Sequence, residues 1–409
     1  MKSHRWLAFS ALFYSLSWIL LQTTSLNRVS IISDSLETIP HELVVTTKIA
    51  FLFLLLAYSF LLLGRKTCGN TWRRFLMIIA LAFFFILPLT SRDAVGYIAS
   101  AYNSVHLHQN PYTTIVGQAT NPFGNDLRSA WWIAFPSPYG PVLQFILMPT
   151  VIFVKNNLLA SLIIYKLIVA SACLLGAWLL SRYQTSSAQQ EDHLLLIALN
   201  PAVLLHVFIE GHNDIFLICF LLASLIFLQR GAWKKALFFF ILAVFSKYYA
   251  LLFLPLFWMQ NNRFSTKRFL ASCSLSAMLF FLFLQAAHLN LTTFFALPFG
   301  MPGSCLYSCS PALVLTYYLF SHHWLIIDRI IFLGLYAFIT WKHLLQHLAP
   351  EPFIYLSFLA FSFLAITWLA PWYLVLPIII SLLSISSRSL RLTWLLTAFS
   401  LANFFLPFS

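Results

Sequence analysis

Six short stretches place polar side chains where the surrounding sequence is apolar. The first is "SRDAVGY", in which Arg92 and Asp93 follow an apolar run directly. The chain holds only 11 acidic residues, so a carboxylate at the point where such a run ends is conspicuous. An ionised carboxylate there would take the proton of an attacking hydroxyl, the work of a general base. "NPAVLLHVFIEGHND" then puts Glu210, His212 and Asp214 within five residues, squeezed between two apolar runs. A carboxylate near a bilayer centre costs about 2.5–3.5 kcal/mol on insertion scales, so this cluster needs a water-filled cavity or a tight turn reaching water. In "FSKYYALLFLPLF" Lys247 is flanked by apolar residues on both sides. It would either snorkel to an interface or meet an anion, and a phosphate is the obvious anion. "NPYTT" (Asn110, Tyr112), "FPSPYGPV" (Tyr139) and "APWYLVLP" (Trp372, Tyr373) add aromatic faces in Pro-punctuated loops. With Trp131 and Trp132, these rings would serve either as faces for a sugar or as an interfacial belt. No metal or other cofactor is expected. A divalent ion on His212 and Asp214 is the alternative, and no Asp-x-Asp pair supports it.

The elements that must position these residues follow from composition. The 409 residues are 61% hydrophobic, 17% aromatic and 9% charged. A soluble domain carries about 25% charge. Apolar runs of about 18–21 residues, long enough to cross a hydrocarbon core of about 30 Å, recur along the chain. The reading is an all-α polytopic membrane protein of about 11–13 transmembrane helices, estimated from such runs. A β-barrel is excluded because its strands would alternate polar and apolar. The expected runs are 6–26, 46–63, 75–90, 140–155, 157–180, 193–209, 213–229, 233–258, 269–287, 324–341, 352–370, 372–385 and 392–407. The chain reads as a single integral membrane domain with outer loops at 91–139 and 288–323. The N-terminal run, with no small-x-small cleavage site after it, reads as a retained first helix.

The net charge of +13 reads as membrane topology, with no nucleic acid among the partners. Basic clusters at Lys2/Arg5, Arg65–Arg74, Arg182, Arg230–Lys235, Arg263–Arg268, Lys342 and Arg388/Arg391 mark the cytoplasmic side. Asp34, Glu37, Glu42, Asp93, Asp126, Glu210 and Asp214 fall on the other. Parity then requires that 140–155, which contains Pro149, does not fully cross. The run 233–258 has basic flanks and Lys247 in its middle, and reads as two short helices dipping in and returning. After Asp93, the spacing of Val95, Ile98, Tyr102 and Val105 predicts an amphipathic interfacial helix. Asp93, Tyr97, Ser100 and Ser104 lie on its polar face, which would look into a cavity. A purely structural reading stands beside it: Ser91 caps the helix and Asp93 answers the helix dipole. Cys305 and Cys309 would form a disulfide or stay as free thiols.

A carboxylate, cations, aromatic faces and a greasy surround on one side suit transfer of a sugar from a polyprenyl-phosphate carrier. The acceptor would be a glycan or glycolipid hydroxyl. Asp93 would be the base, Lys247 and Arg92 would hold the phosphate, and the lipid donor would enter laterally.

In order along residues 90–258, "SRDAVGYIASAYNSVHLHQNPY", "SPYGPV", "NPAVLLHVFIEGHND" and "FSKYYALLFLPLF" resemble the GT-C polyprenyl-phosphomannose-dependent α-mannosyltransferases, in particular the bacterial α-1,6 family. A more distant similarity is to the catalytic subunit of the first GPI mannosyltransferase. The resemblance implies a GT-C fold in a bacterial plasma membrane with the site facing outward. It implies inverting transfer of a hexose, mannose by family, with Asp93 as base and with Glu210, His212 and Asp214 lining the cavity. Ala94, Val95 and Gly96 after the Asp, and Asn103 in place of a closing Gly, depart from the family pattern. A transporter or flippase for a lipid-linked sugar is the competing class. It would predict two repeated halves, and no internal repeat is evident.

Overall fold

The computed structural model describes residues 2–32, 41–89, 91–117, 120–123, 136–154, 156–183, 187–260, 263–289, 325–366, 370–383 and 386–402. The expected features at Trp131, Trp132, Asp126, Asp34, Glu37 and the Cys305/Cys309 pair lie outside these residues, as does most of the 288–323 loop.

The chain is an all-α polytopic membrane protein. Helices α1 (Lys2–Ile32), α2 (His41–Gly64) and α3 (Asn70–Phe83) come first, then the short α4 (Asp93–Val105), α5 (Pro141–Leu147) and α6 (Pro149–Ile152). Next are α7 (Leu158–Tyr183), α8 (Ser187–Ala198), α9 (Pro201–Val203, continuing as a π-helix over Leu204–Ile209), α10 (Asp214–Gln229) and α11 (Trp233–Val244). A 3-10 stretch (Tyr248–Phe257) and a hairpin of Met259–Gln260 with Arg263–Phe264 lead into α12 (Thr266–Ala286). The last helices are α13 (Leu325–Leu345), α14 (Pro350–Ala360), α15 (Val375–Ser381) and α16 (Ser387–Ala402).

Among the described residues, Arg5–Ser25, Val44–Gly64, Leu158–Tyr183 and Thr266–Ala286 are each long and apolar enough to cross a membrane. Asp192–Ala198 and Pro201–Ile209 are long and apolar enough only when taken together, and they are bent by 53° at the break, the form of a broken span or a re-entrant loop. Pro201 causes the bend: it supplies no N–H, and the residue before a proline is held extended. Asn200 then caps the new helix, its side chain accepting from Ala202 N at 3.0 Å.

The bundle wears its apolar residues outside. Leu12, Leu52, Ile78, Leu174 and Phe281 are exposed, while Ser10, Ser17, Ser224 and Thr397 are buried between helices. Ser10 donates to Ala57 O (2.8 Å) and Ser17 to Ala50 O (3.2 Å), so α1 and α2 are joined by polar contacts of the kind that hold helices together in lipid.

The two parity expectations meet definite geometry. Pro149 splits the 140–155 run into α5 and α6. Both lie along α4: Ser100 bonds Gln144 (3.3 Å), His106 Nε2 meets Val151 O (2.9 Å) and Tyr102 bonds Asn156 (3.2 Å). The segment therefore stays with α4 along its length. The 233–258 run is broken at Phe245–Lys247. Its 12 helical residues rise about 18 Å at 1.5 Å each, and the 10 residues of the 3-10 stretch run about 20 Å at 2.0 Å each. The lengths match, and Trp233 Nε1 donates to Phe257 O at 3.1 Å, so the chain comes back to its starting end. The third run is shorter than expected: α3 stops at Phe83 and unwinds before Pro88.

Helix α4 forms where the apolar spacing placed it, with one difference. It is enclosed: Tyr97, Ser100 and Asn103 on its polar side and Ile98 on its apolar side are all about 1% exposed or less. Ala94, Gly96, Ala99 and Ala101 make it thin enough to be packed between α5–α6 and α7.

Candidate active site

Asp93 opens α4, and the loop before it is pinned by two buried charges. The Glu210 carboxylate accepts from Leu89 N (3.0 and 3.2 Å to its two oxygens) and from Ser91 N (3.1 Å). Ser91 Oγ in turn accepts from Asp93 N at 3.1 Å. On the other side of Pro88, the Lys166 ammonium donates to Ile86 O and, at 3.3 Å, to Ile209 O. The 86–93 segment is thus tied to the turn that carries Glu210. The turn itself is sharp: Gly211 has φ +70, a conformation that glycine adopts without a Cβ penalty, and Tyr165 OH donates to its carbonyl.

With both segments fixed, His212 Nδ1 lies 3.4 Å from Asp93 Oδ2. The His212 ring stacks on Trp372, with centroids 3.9 Å apart and planes 13° apart. His206 sits 5.8 Å from His212 and is held by Ser400 Oγ at 2.9 Å. The Asp93 side chain keeps 12% of its surface exposed while His212 keeps 1%.

The cationic part lies beside it. Lys247 Nζ forms an ion pair with Asp214 Oδ1 at 2.7 Å, and Tyr249 OH donates to the same oxygen at 2.9 Å. The rings of Tyr139, Tyr249 and Tyr373 surround the ammonium at 5.5–5.8 Å. Tyr139 OH donates to Tyr97 OH at 3.4 Å, which links this cage to α4. Burial first, and then the charge of Asp93, push the Tyr139 phenol well above its usual value, so it stays protonated as a donor. The strap that holds Tyr139 is Gly140: Gly140 N donates to Ser246 O (3.3 Å) and Val142 N to Phe245 O (3.1 Å). A Cβ at Gly140 would fall 2.0 Å from Phe245 O.

Asp93, Tyr97, Tyr139, His212, Asp214, Lys247, Trp372 and Tyr373 are therefore brought together. Glu210 is next to them, but its oxygens face backbone N–H groups of the 89–91 loop. Arg92 is the residue immediately before α4. Asn110 and Tyr112 lie against the end of α12, where Tyr112 shares a small cluster with Phe245 and Tyr248, close in sequence to Lys247. Asn110 Nδ2 donates to Ala287 O (2.8 Å) and its Oδ1 takes Tyr112 N (3.0 Å). Tyr112 packs edge-on to Phe283, with centroids 5.1 Å apart. The physical reason is the Asx turn at Asn110, which turns the loop toward α12. Lys166, Tyr165, Tyr249 and His206 were not singled out in the sequence. Lys166 alone had a readable signal, a charge inside the apolar run "SLIIYKLIVA". Among the described residues, no group of three or more His, Cys, Asp or Glu side chains is arranged to hold a metal ion.

An apolar cavity of about 310 Å³ lies within the bundle, between α3, α7, α8–α9 and α10. Phe84, Phe85 and Phe208 line it, each within two residues of a carbonyl that Lys166 holds. Ala170, Cys173, Leu174 and Ala177 continue the Lys166 face of α7 along it.

The family profile described as "Alpha-(1->6)-mannopyranosyltransferase, N-terminal domain" (MptA_B family) matches residues 8–262. The chain belongs to this family. Among similar proteins, Alpha-(1->6)-mannopyranosyltransferase A of Mycobacterium tuberculosis is 26% identical over 234 residues, which is 53% of this chain and 45% of that protein. A probable alpha-(1->6)-mannopyranosyltransferase of Mycolicibacterium smegmatis is 27% identical over 193 residues, 43% of this chain and 33% of that one. The matched segment thus spans less than half the length of these relatives. The MptA_B match contains Asp93, Lys166, Glu210, His212, Asp214 and Lys247, while Trp372 and Tyr373 lie beyond it.

Proposed function

We propose that the protein is a GT-C membrane mannosyltransferase that moves a mannosyl group from a polyprenyl-phosphate carrier to a hydroxyl of a glycan or glycolipid. The observation that carries this reading is the meeting of the Asp93 carboxylate, backed by His212, with the Lys247–Asp214 pair in one cluster of buried charges. Family membership supports mannose as the sugar, and the names of the relatives support an α-1,6 linkage.

In this mechanism the acceptor oxygen attacks C1 of the sugar as the C1–O bond to phosphate breaks. The bonding pair leaves with the polyprenyl phosphate, and the acceptor proton passes to Asp93. His212 steadies Asp93 and is itself held in plane by Trp372. Lys247 offsets the charge that grows on the leaving phosphate, sharing its ammonium with Asp214. Attack opposite the leaving group inverts the anomeric carbon, so a β-linked donor yields an α-linked product. The apolar cavity supplies a place for part of the isoprenoid chain, which would reach it sideways from the bilayer. The active site faces the side opposite the basic loops, in a bacterial plasma membrane.

The test is transfer of radiolabelled mannose from polyprenyl-phosphate-mannose to α-mannoside acceptors by purified protein and by Asp93→Asn. The expected loss is about 10²–10⁴-fold with folding intact, the range for removal of a general base. Activity of Asp93→Asn within a few-fold of the parent protein would remove Asp93 from the chemistry.

A further inference from the structure

Orphaned buried polar atoms concentrate at this pocket. Among the described residues, side-chain atoms without a hydrogen-bond partner include both ring nitrogens of His212, both polar atoms of Asn213 and Oδ2 of Asp214. His212 and Asp214 have charged neighbours in Asp93 and Lys247. The Asn213 side chain has neither an ion-pair partner nor a hydrogen bond, although the residue is 1% exposed. A buried amide left unpaired at both ends destabilises the folded chain, because neither its oxygen nor its NH₂ recovers the hydrogen bonds it made to water. Its local duties are done by the backbone: Phe216 N bonds Asn213 O (3.2 Å) at the start of α10. The amide makes no capping bond to the helix it precedes, so that carbonyl is its whole contribution to the helix start.

We infer that Asn213 is a specificity-determining residue that reads two hydroxyl groups of the transferred hexose. A carboxamide matches adjacent hydroxyls because its oxygen accepts from one O–H while its NH₂ donates to the neighbouring oxygen. Its place in the chain fits. In sequence it stands between His212, which faces Asp93, and Asp214, which holds Lys247, so its backbone is flanked by the partner of the group that would take the acceptor proton and the partner of the cation that would hold the phosphate. The transferred ring must lie between that group and that cation. A site built to bond a substrate hydroxyl rejects the analogue lacking it strongly, because its own polar groups are then left buried and unpaired.

This assignment rests on the proposed mannosyl donor, and the experiment separates the two. Purified protein, Asn213→Ala and Asn213→Asp are tested for thermal stabilisation by, and transfer from, short-chain polyprenyl-phosphate-mannose and its 2-, 3- and 4-deoxy analogues. The parent protein should bind the full donor and lose about 10-fold or more in transfer with at least one deoxy donor. Both variants should transfer the full donor at least 10-fold more slowly; Asn213→Ala should show no further loss with that deoxy donor, and Asn213→Asp none with the analogue lacking the oxygen that the amide N–H had bonded. Asn213→Asp keeps the shape and removes the N–H donors, so it reports even where the alanine variant is poorly folded. A parent protein that is neither stabilised by any mannosyl donor nor able to use one overturns the donor assignment and this inference with it. A parent protein that binds the donor, with variants that discriminate among the deoxy analogues as sharply as it does, overturns the role of Asn213 alone.

Discussion

Glu210 gives the sharpest test of how the site is held. Its carboxylate takes the N–H groups of Leu89 and Ser91, two residues short of Asp93. Glu210→Ala leaves two backbone N–H groups without their acceptor, at about 1–3 kcal/mol each. The loop therefore loses about 2–6 kcal/mol of support. A displacement of a catalytic group by about 1 Å costs about 100-fold in rate. That is about 2.7 kcal/mol, so the lost support is ample to produce it. Glu210→Gln keeps one acceptor and turns an NH₂ toward the other N–H, so it should lose about half the support. The assay is steady-state mannosyl transfer with donor and acceptor varied separately. The alanine variant should fall about 100-fold in kcat, and the glutamine variant about 10-fold. KM for the donor should stay within a few-fold, since the loop holds Asp93 and not the phosphate. Equal loss in the two variants with both proteins folded would mean that the charge acts on the reaction directly. A wild-type kcat in Glu210→Ala would show that the loop is held by something else.

Other consequences are open to simpler measurements. Gly140→Ala should fail to give monodisperse protein or should lose about 3 kcal/mol or more, because the new Cβ would meet the Phe245 carbonyl at 2.0 Å. Gly69→Ala, with nothing within 4 Å of the added atom, should be silent in the same thermal melt. Lys166→Met strips the donor from Ile86 O and Ile209 O and should lower thermal stability by about 1–3 kcal/mol per orphaned carbonyl; an unchanged melt would refute the two-sided clamp. In a protein otherwise free of cysteine, an impermeant thiol reagent should reach Asn157→Cys and Arg263→Cys from opposite sides of the membrane. Labelling of both from one side would refute the returning 233–258 segment.

The pattern of residues alone was enough for the membrane class and most of the helices, and it picked out the stretches proposed for the chemistry. The physical reason is cost: a bilayer penalises each charge so heavily that Asp93, Glu210, Asp214 and Lys247 stand out against their neighbours. Pro149 and the mid-run Lys247 also marked 140–155 and 233–258 as unlike plain spans, and both runs are broken there, the first at Pro149 and the second at Phe245–Lys247. Partnership was not legible. That Glu210 would face the backbone of residue 89 and not a substrate, that Lys247 would pair with Asp214, and that Trp372 would stack on His212 depend on contacts between segments tens to hundreds of residues apart. Asn110 and Tyr112 show the same limit from the other side. Their types suited a sugar face, but that an Asx turn would carry them to the end of α12 was not readable from them. Local pattern reports which side chains are expensive to bury; only the packing of distant helices decides what each one is buried against.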